Sequence, residues 1–236
     1  MSSSAALCSA TFVDPGYDHI VELVHQRDRV GQRRLESLEL DLYEPCGISL
    51  GRITVDPRQE TLDLAALVAP RAAGVARVMV AFDARYDTRI FPYRPHHYGY
   101  LRRRDSPEAP LYYAVNATLG GVPDRLETAM RQNNFETYLF LSRPGGERYA
   151  LRLGSLARFS TVQAQVITYH GDARAVVPVT LMPHQHAEVE LPLERGGERL
   201  RRVELKTLFR LASYVVGRRV DSDALVLFDH LFTYFK

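Results

Sequence analysis

The segment VQAQVITYHGDARAVVPVTL, residues 162–181, has the pattern of two β-strands joined by a turn. Over residues 162–169, every second side chain points to the same face, which is the period of two expected of a strand. The residues His-Gly-Asp at 170–172 interrupt this pattern and turn the chain. The apolar run that follows contains Pro178. Because proline cannot donate a hydrogen bond to a neighbouring strand, we expect this second strand to lie at a sheet edge or to carry a bulge.

A related pattern occurs earlier in the chain, in residues 38–68. The run LELDLY, residues 38–43, is followed by a turn and by the strand-like run ISLGRITV, residues 48–55. In both copies a tyrosine ends the first strand, and a proline follows at the same distance: Tyr43 with Pro57, and Tyr169 with Pro183. Self-similarity of this kind predicts a repeated structural unit.

Two further pairs of segments extend the similarity between the two halves. Residues 61–68 resemble residues 202–209, and residues 78–86 resemble residues 224–232, with Phe-Asp at the same place in the latter pair. A coincidental match is the alternative explanation. On this basis the sequence predicts a mainly β fold, with two related antiparallel β-sandwich modules, a long insertion and one short helix.

The predicted domain organisation has three parts. Residues 1–119 form the first module, which begins with an arm over residues 1–18 and includes an insertion rich in Tyr, Arg and His over residues 87–119. Residues 120–134 form a linker that contains a short helix. A proline at the start of this helix and an arginine near its end favour it. Residues 135–236 form the second module.

The strand patterns in residues 38–68 and 163–209 resemble bacterial immunoglobulin-like or fibronectin-like modules, including the type found in sensory-rhodopsin transducer proteins. The resemblance implies a two-sheet fold and a non-enzymatic binding or signalling role. The last run, ALVLFDHLFTYF at residues 224–235, is apolar on both faces. It is therefore expected to be central in a sheet or covered by a partner, and a homodimer through this strand is one arrangement that would cover it.

Composition limits the classes of function. The formal net charge of the 236 residues is +2, so it gives no global argument for binding to nucleic acid or an anionic membrane, which need a concentrated basic field. Two cysteines are too few for a disulfide framework. The sequence contains no run of eighteen apolar residues, so it predicts no membrane span, and the N-terminus lacks the features of a signal peptide. We therefore expect a cytoplasmic protein.

The predicted insertion holds the densest cluster of aromatic and basic side chains. Tyrosine and arginine supply rigid contact area and forked hydrogen-bond donors, and both are enriched at binding hot spots. The candidate ligand-binding residues are Arg89, Tyr93, Arg94, His96, His97, Tyr98 and Tyr100. The alternative is that these aromatic residues pack the insertion onto its own module while the arginines are solvated.

A second candidate site is His184-Gln185-His186 followed by Glu190, which resembles the first motif of the cupins. This resemblance implies a divalent metal ion held by His184, His186 and Glu190, and a metal-dependent enzyme. Pro178 stands where the motif has glycine. The alternation of residues 187–193 also places these side chains opposite the apolar face, in solvent.

These observations favour a non-enzymatic binding or assembly protein without a cofactor and without predicted catalytic residues. Its partner is expected to be a protein or an anionic or glycan ligand, recognised through the aromatic and arginine-rich insertion. The alternative is the cupin-like metal-dependent enzyme.

Overall fold

The structure is a computed structural model, and it describes residues 4–23, 35–87, 97–104, 106–118, 134–139, 146–209 and 211–234. The chain divides into two compact units, Met1–Asp124 and Arg125–Lys236. The described residues are mostly in antiparallel strands, so the predicted mainly β fold class is confirmed. No helix of the described part is long and apolar enough to cross a membrane.

The first unit contains two antiparallel sheets. Its described elements are β1 Ser4–Val13, β2 Tyr17–Glu22, β3 Leu35–Tyr43, β4 Ser49–Val55, β5 Thr61–Asp63, α1 Leu64–Val68, β6 Val78–Asp87, β7 Tyr98–Arg103, β8 Leu111–Ala114 and β9 Asn116–Thr118. One sheet has the strand order β4-β3-β6-β1-β9, and the other has the order β5-β2-β7-β8. Buried side chains of the two sheets meet where Thr11 of β1 hydrogen-bonds Tyr113 of β8. The unit is therefore a β-sandwich.

The second unit is also built from two sheets. Its described strands are β10 Asn134–Leu139, β11 Glu147–Ser155, β12 Val162–His170, β13 Ala173–Leu181, β14 His186–Leu191, β15 Glu194–Arg195, β16 Glu198–Thr207, β17 Leu211–Arg219, β18 Leu225–His230 and β19 Phe232–Tyr234. The sheet orders are β13-β12-β16-β10-β19, with β15 beside β16, and β14-β11-β17-β18. Leu151 and Val215 of the second sheet share one buried cluster with Val166 and Leu205 of the first. This unit too is a sandwich.

The two units have the same strand order. If β1 to β5 are matched with β10 to β14, and β6 to β9 with β16 to β19, every sheet neighbour in the first unit has its counterpart in the second. Among the described strands, only β15 lacks a counterpart. The two halves are therefore related in topology, as the sequence pattern predicts.

The segment matches that suggested the repeat are right in one place and wrong in two. Residues 38–43 and 162–169 lie in β3 and β12, which occupy equivalent positions. Residues 78–86 lie in β6, in the middle of a sheet, whereas residues 224–232 begin in β18, which ends one. Residues 61–68 and 202–209 likewise belong to non-equivalent strands. The two Phe-Asp pairs therefore match in sequence, but they lie in strands that occupy different places in their sheets.

The predicted arm and insertion both contribute strands to the first sandwich. Residues 1–18 contain β1, which lies between β6 and β9, and its side chains from Cys8 to Val13 are all buried. A strand buried on both faces shows no alternation, which is why its pattern suggests an arm. Residues 87–119 supply β7 and β8 to one sheet and β9 to the other.

The helix of the described structure lies where the sequence pattern predicts a strand. Strand β5 ends at Asp63, and α1 begins at Leu64. The carboxylate of Asp63 accepts a hydrogen bond of 3.0 Å from the backbone N–H of Ala66, which caps the first turn. The helix predicted within residues 120–134 lies outside the described residues.

The edge position of Pro178 is confirmed, because β13 pairs with β12 and ends its sheet. The apolar run 224–235, predicted as one strand, instead forms β18 and β19, which lie in different sheets. Phe228 and Leu231, two of the apolar residues that suggested a dimer interface, are buried within the chain, 2% and 1% exposed. Their apolar character is accounted for without a second copy.

Candidate functional site

Three tyrosines lie together on the solvent side of the sheet β5-β2-β7-β8. In β7, Gly99 and Leu101 are buried, so the alternating residues Tyr98 and Tyr100 point outward. In β8, Tyr113 is buried and Tyr112 points outward. We call Tyr98, Tyr100 and Tyr112 the tyrosine face.

The tyrosine face is exposed and closely spaced. Tyr100 and Tyr112 are directly opposite each other on neighbouring strands, with ring centroids 5.3 Å apart at an angle of 69°. Tyr112 is 71% exposed and Tyr98 is 42% exposed. On the other side of Tyr100, the half-buried Ile20 of β2 continues the row. The result is an aromatic and aliphatic strip across three strands, which is the kind of surface that binding hot spots use.

Charged residues border one end of the tyrosine face. The carboxylate of Asp18 on β2 accepts hydrogen bonds from Arg102, at 2.7 Å, and from Arg104, at 3.0 Å. These two arginines hold the pKa of Asp18 below its usual value, with the hydrogen bond from Arg102 as the larger cause. Because two cations share one carboxylate, this group carries net positive charge.

The strands that carry the tyrosine face are fixed from the core side. The Tyr113 ring lies over Gly99, where an added Cβ atom would be 1.9 Å from Cε1 of the ring. The Tyr113 phenol oxygen lies 2.6 Å from the hydroxyl of Thr11 and 2.5 Å from Nε2 of His19. All three side chains are buried. This network gives β7 and β8 a defined register, so the outward tyrosines are presented on a rigid support.

The structure places the predicted ligand-binding residues in different surroundings. Arg89, Tyr93, Arg94 and His96 lie outside the described residues. Tyr98 and Tyr100 are on the tyrosine face. His97 is 3% exposed, and its ring centroid lies 5.7 Å from that of Phe82, so it packs in the interior.

Tyr112, which lies outside the predicted set, joins the site through strand register. The sequence signal that indicates Tyr112 is the strand alternation in LYYA, residues 111–114, which places Tyr112 and Tyr113 on opposite faces.

The corresponding outer face in the second unit also carries aromatic residues, and there they are buried. Tyr214 of β17 and Phe228 of β18 stack with ring centroids 4.6 Å apart. Arg152 of β11 lies 5.7 Å from the centre of the Phe228 ring and is held at 2.7 Å by Glu188 of β14. Arg152 and Tyr214 are fully buried. Strands β17 and β18 are the counterparts of β7 and β8, so both units present an aromatic pair at this place.

The candidate metal ligands are not brought together. His184 lies in a turn with φ of +60°, whereas His186 and Glu190 lie four positions apart on β14. Glu188, between them, is bound to Arg152. The expectation that these side chains lie in solvent is wrong for His186, which is buried, whereas Glu190 on the same face is exposed as expected. Among the described residues, no group of three His, Cys, Asp or Glu side chains could hold a metal ion.

Comparison with known proteins gives no family for this chain. Neither the protein-family models nor the curated proteins gave a match.

Proposed function

We propose that the protein is a non-enzymatic binding protein that recognises a protein partner through the tyrosine face of its first unit. The observation that carries this proposal is the placement of Tyr98, Tyr100 and Tyr112 side by side on the solvent side of one sheet. Tyrosine provides a large contact area with few rotatable bonds, so little side-chain entropy is lost when a partner binds. Its hydroxyl group can also hydrogen-bond to the partner's backbone.

The rigid support favours recognition by a preformed surface. A partner that covers Tyr112 would bury an aromatic side chain that is now 71% exposed. The ion-paired group of Asp18, Arg102 and Arg104 would form a polar border at one end of an apolar centre. An apolar centre with a polar rim is the usual organisation of a protein–protein interface.

The second unit supports the proposal by internal comparison. Its equivalent strands carry Tyr214 and Phe228, and those rings are 0% and 2% exposed. The same position in the duplicated topology therefore carries aromatic residues that are covered in one unit and exposed in the other. We infer that this sheet face is suited to being covered, and that the exposed copy takes a partner.

The test compares the wild-type chain with a Tyr100→Ala/Tyr112→Ala double variant. The two proteins are immobilised, proteins bound from a lysate of the source cells are quantified, and each candidate is then purified for a direct binding measurement. Phe159→Ala is the matched control, because Phe159 is 78% exposed but belongs to the second unit. We expect one partner that binds the wild type and the control and loses at least tenfold in affinity for the double variant.

Two outcomes would contradict the proposal. One is a purified partner that binds the double variant as tightly as the wild type. The other is a chain that retains no purified protein but binds sugars on a glycan array through the same tyrosines, which would assign the face to carbohydrate. Circular dichroism of the double variant serves to show that the fold is intact.

A further inference from the structure

A pocket of about 220 Å³ lies at one end of the first unit. The turn between β1 and β2 forms one wall, and α1 with the loop after it forms the other. The lining is mainly aliphatic and includes Val13, Val68, Ala72, Val75 and Val78. Two charged residues also line it, Asp14 and Arg104. Apolar walls with a few placed polar groups are characteristic of small-molecule sites.

The walls of the pocket are held together by interactions that connect separate loops. Asp14 of the β1–β2 turn accepts a hydrogen bond of 2.8 Å from Nε of Arg77, just before β6. The backbone N–H of Arg104, after β7, donates to the carbonyl of Gly16 at 2.9 Å. The pocket is therefore formed before any ligand arrives, which lowers the entropic cost of binding.

The charge at the pocket favours an anion. Asp14 is compensated by Arg77. Arg104 shares the single carboxylate of Asp18 with Arg102, so one positive charge remains uncompensated in this group. Arg104 donates to Asp18 through Nε, and within the described residues its two Nη groups donate no hydrogen bond. Carboxylate and phosphate oxygens both match paired guanidinium N–H groups, and the aliphatic lining of the pocket suits a carboxylate that carries a hydrocarbon tail.

We propose that this pocket binds a small aliphatic carboxylate, with its hydrocarbon tail against the valine and alanine side chains and its carboxylate on the Nη groups of Arg104. Drug-sized ligands occupy pockets of roughly 300 to 1,000 Å³. The smaller volume here suits a chain of about six carbons. The pocket shares Arg104 with the charged group that borders the tyrosine face, but none of the three tyrosines lines it, so the ligand would not need a protein partner on the tyrosine face in order to bind.

The test is a titration of the isotopically labelled full chain with hexanoate. Binding is monitored through the amide chemical shifts in NMR spectra. We expect saturable shifts at Gly16, Ala72 and Val75, which line or adjoin the pocket. Acetate lacks the tail and 1-hexanol lacks the charge, so both should bind at least tenfold more weakly. A peptide that ends in leucine is titrated in parallel, to distinguish a free acid from a peptide C-terminus as the source of the carboxylate.

Two variants make the test specific to Arg104. Arg104→Gln should weaken hexanoate binding about tenfold, since it removes a charge-assisted hydrogen bond. Arg102→Gln is the matched control, because Arg102 also pairs with Asp18 but does not line the pocket. It should weaken hexanoate binding less than Arg104→Gln does, because it lowers the positive charge of this group without removing the guanidinium that holds the carboxylate. Absent shifts at the pocket, or equal weakening by both variants, would overturn the proposal. Neither result would bear on the tyrosine face.

Discussion

Tyr113 and His19 are joined in the core of the first unit by a hydrogen bond of 2.5 Å between the phenol oxygen and Nε2. The two residues lie on β8 and β2, which are separated by β7. The Tyr113 ring therefore crosses β7, and it does so over Gly99, where no side chain is in the way. The position of β8, and with it Tyr112, depends on this crossing.

Gly99→Ala is expected to destabilise the first unit by roughly 1 to 3 kcal/mol or more, because the new methyl group would overlap the Tyr113 ring. Denaturant unfolding followed by circular dichroism measures the loss. In a Tyr113→Leu background the smaller side chain leaves room for the methyl group, so the two substitutions should not be additive. Additive losses would show that the overlap is not the cause.

Tyr113→Phe keeps the ring and removes the hydroxyl that contacts Thr11 and His19. Because these polar groups are buried, we expect a loss of about 1 to 3 kcal/mol in the free energy of unfolding. Tyr112→Phe on the adjacent residue is the control. Tyr112 is 71% exposed, so its substitution should change stability by less than about 0.5 kcal/mol. Similar values for the two variants would contradict a structural role for the buried network.

The pKa of Asp18 should lie below the ordinary aspartate value, and Arg102→Gln should raise it more than Arg104→Gln does, because Arg102 is the larger cause of the shift. A carboxyl with a lowered pKa in the folded state contributes stability above its unfolded pKa, and this contribution is lost as the pH falls through the folded value. A ¹³C NMR titration of the Asp18 carboxyl measures its pKa in the wild type and in each variant, and so shows which substitution raises the pKa more. The reverse order would contradict the hydrogen-bond geometry.

Glu188→Gln should destabilise the second unit more than Arg152→Met does. Arg152 is fully buried, so removing the charge of Glu188 leaves the buried guanidinium less well compensated, at a cost of about 3 kcal/mol. Arg152→Met removes the buried cation and keeps an aliphatic side chain. Glu188 is 30% exposed on its side chain and can turn to water. Denaturant unfolding curves of the two variants give the loss in the free energy of unfolding for each. A larger loss for Arg152→Met than for Glu188→Gln would refute the prediction.

Alternation in the sequence predicts strands whose two faces differ, such as β3 and β12. It does not detect β1, because that strand is buried on both faces between Cys8 and Val13. Nor does it separate β5 from α1, since one capping residue, Asp63, decides where the strand ends. Composition alone indicates Tyr98 and Tyr100 as candidate contacts. Tyr112 and the pairing of Asp18 with Arg102 depend on register, which connects residues far apart in the chain.

In each unit the first and the last of the described strands are hydrogen-bonded neighbours, as shown by Cys8 opposite Thr118 and Phe135 opposite Tyr234. Entry and exit of the polypeptide are therefore close together, and a duplicated gene segment could be spliced head to tail without disturbing any existing sheet. The same closeness makes each sandwich a suitable host for circular permutation, with the old ends joined by a short bridge and new ends opened in a surface hairpin.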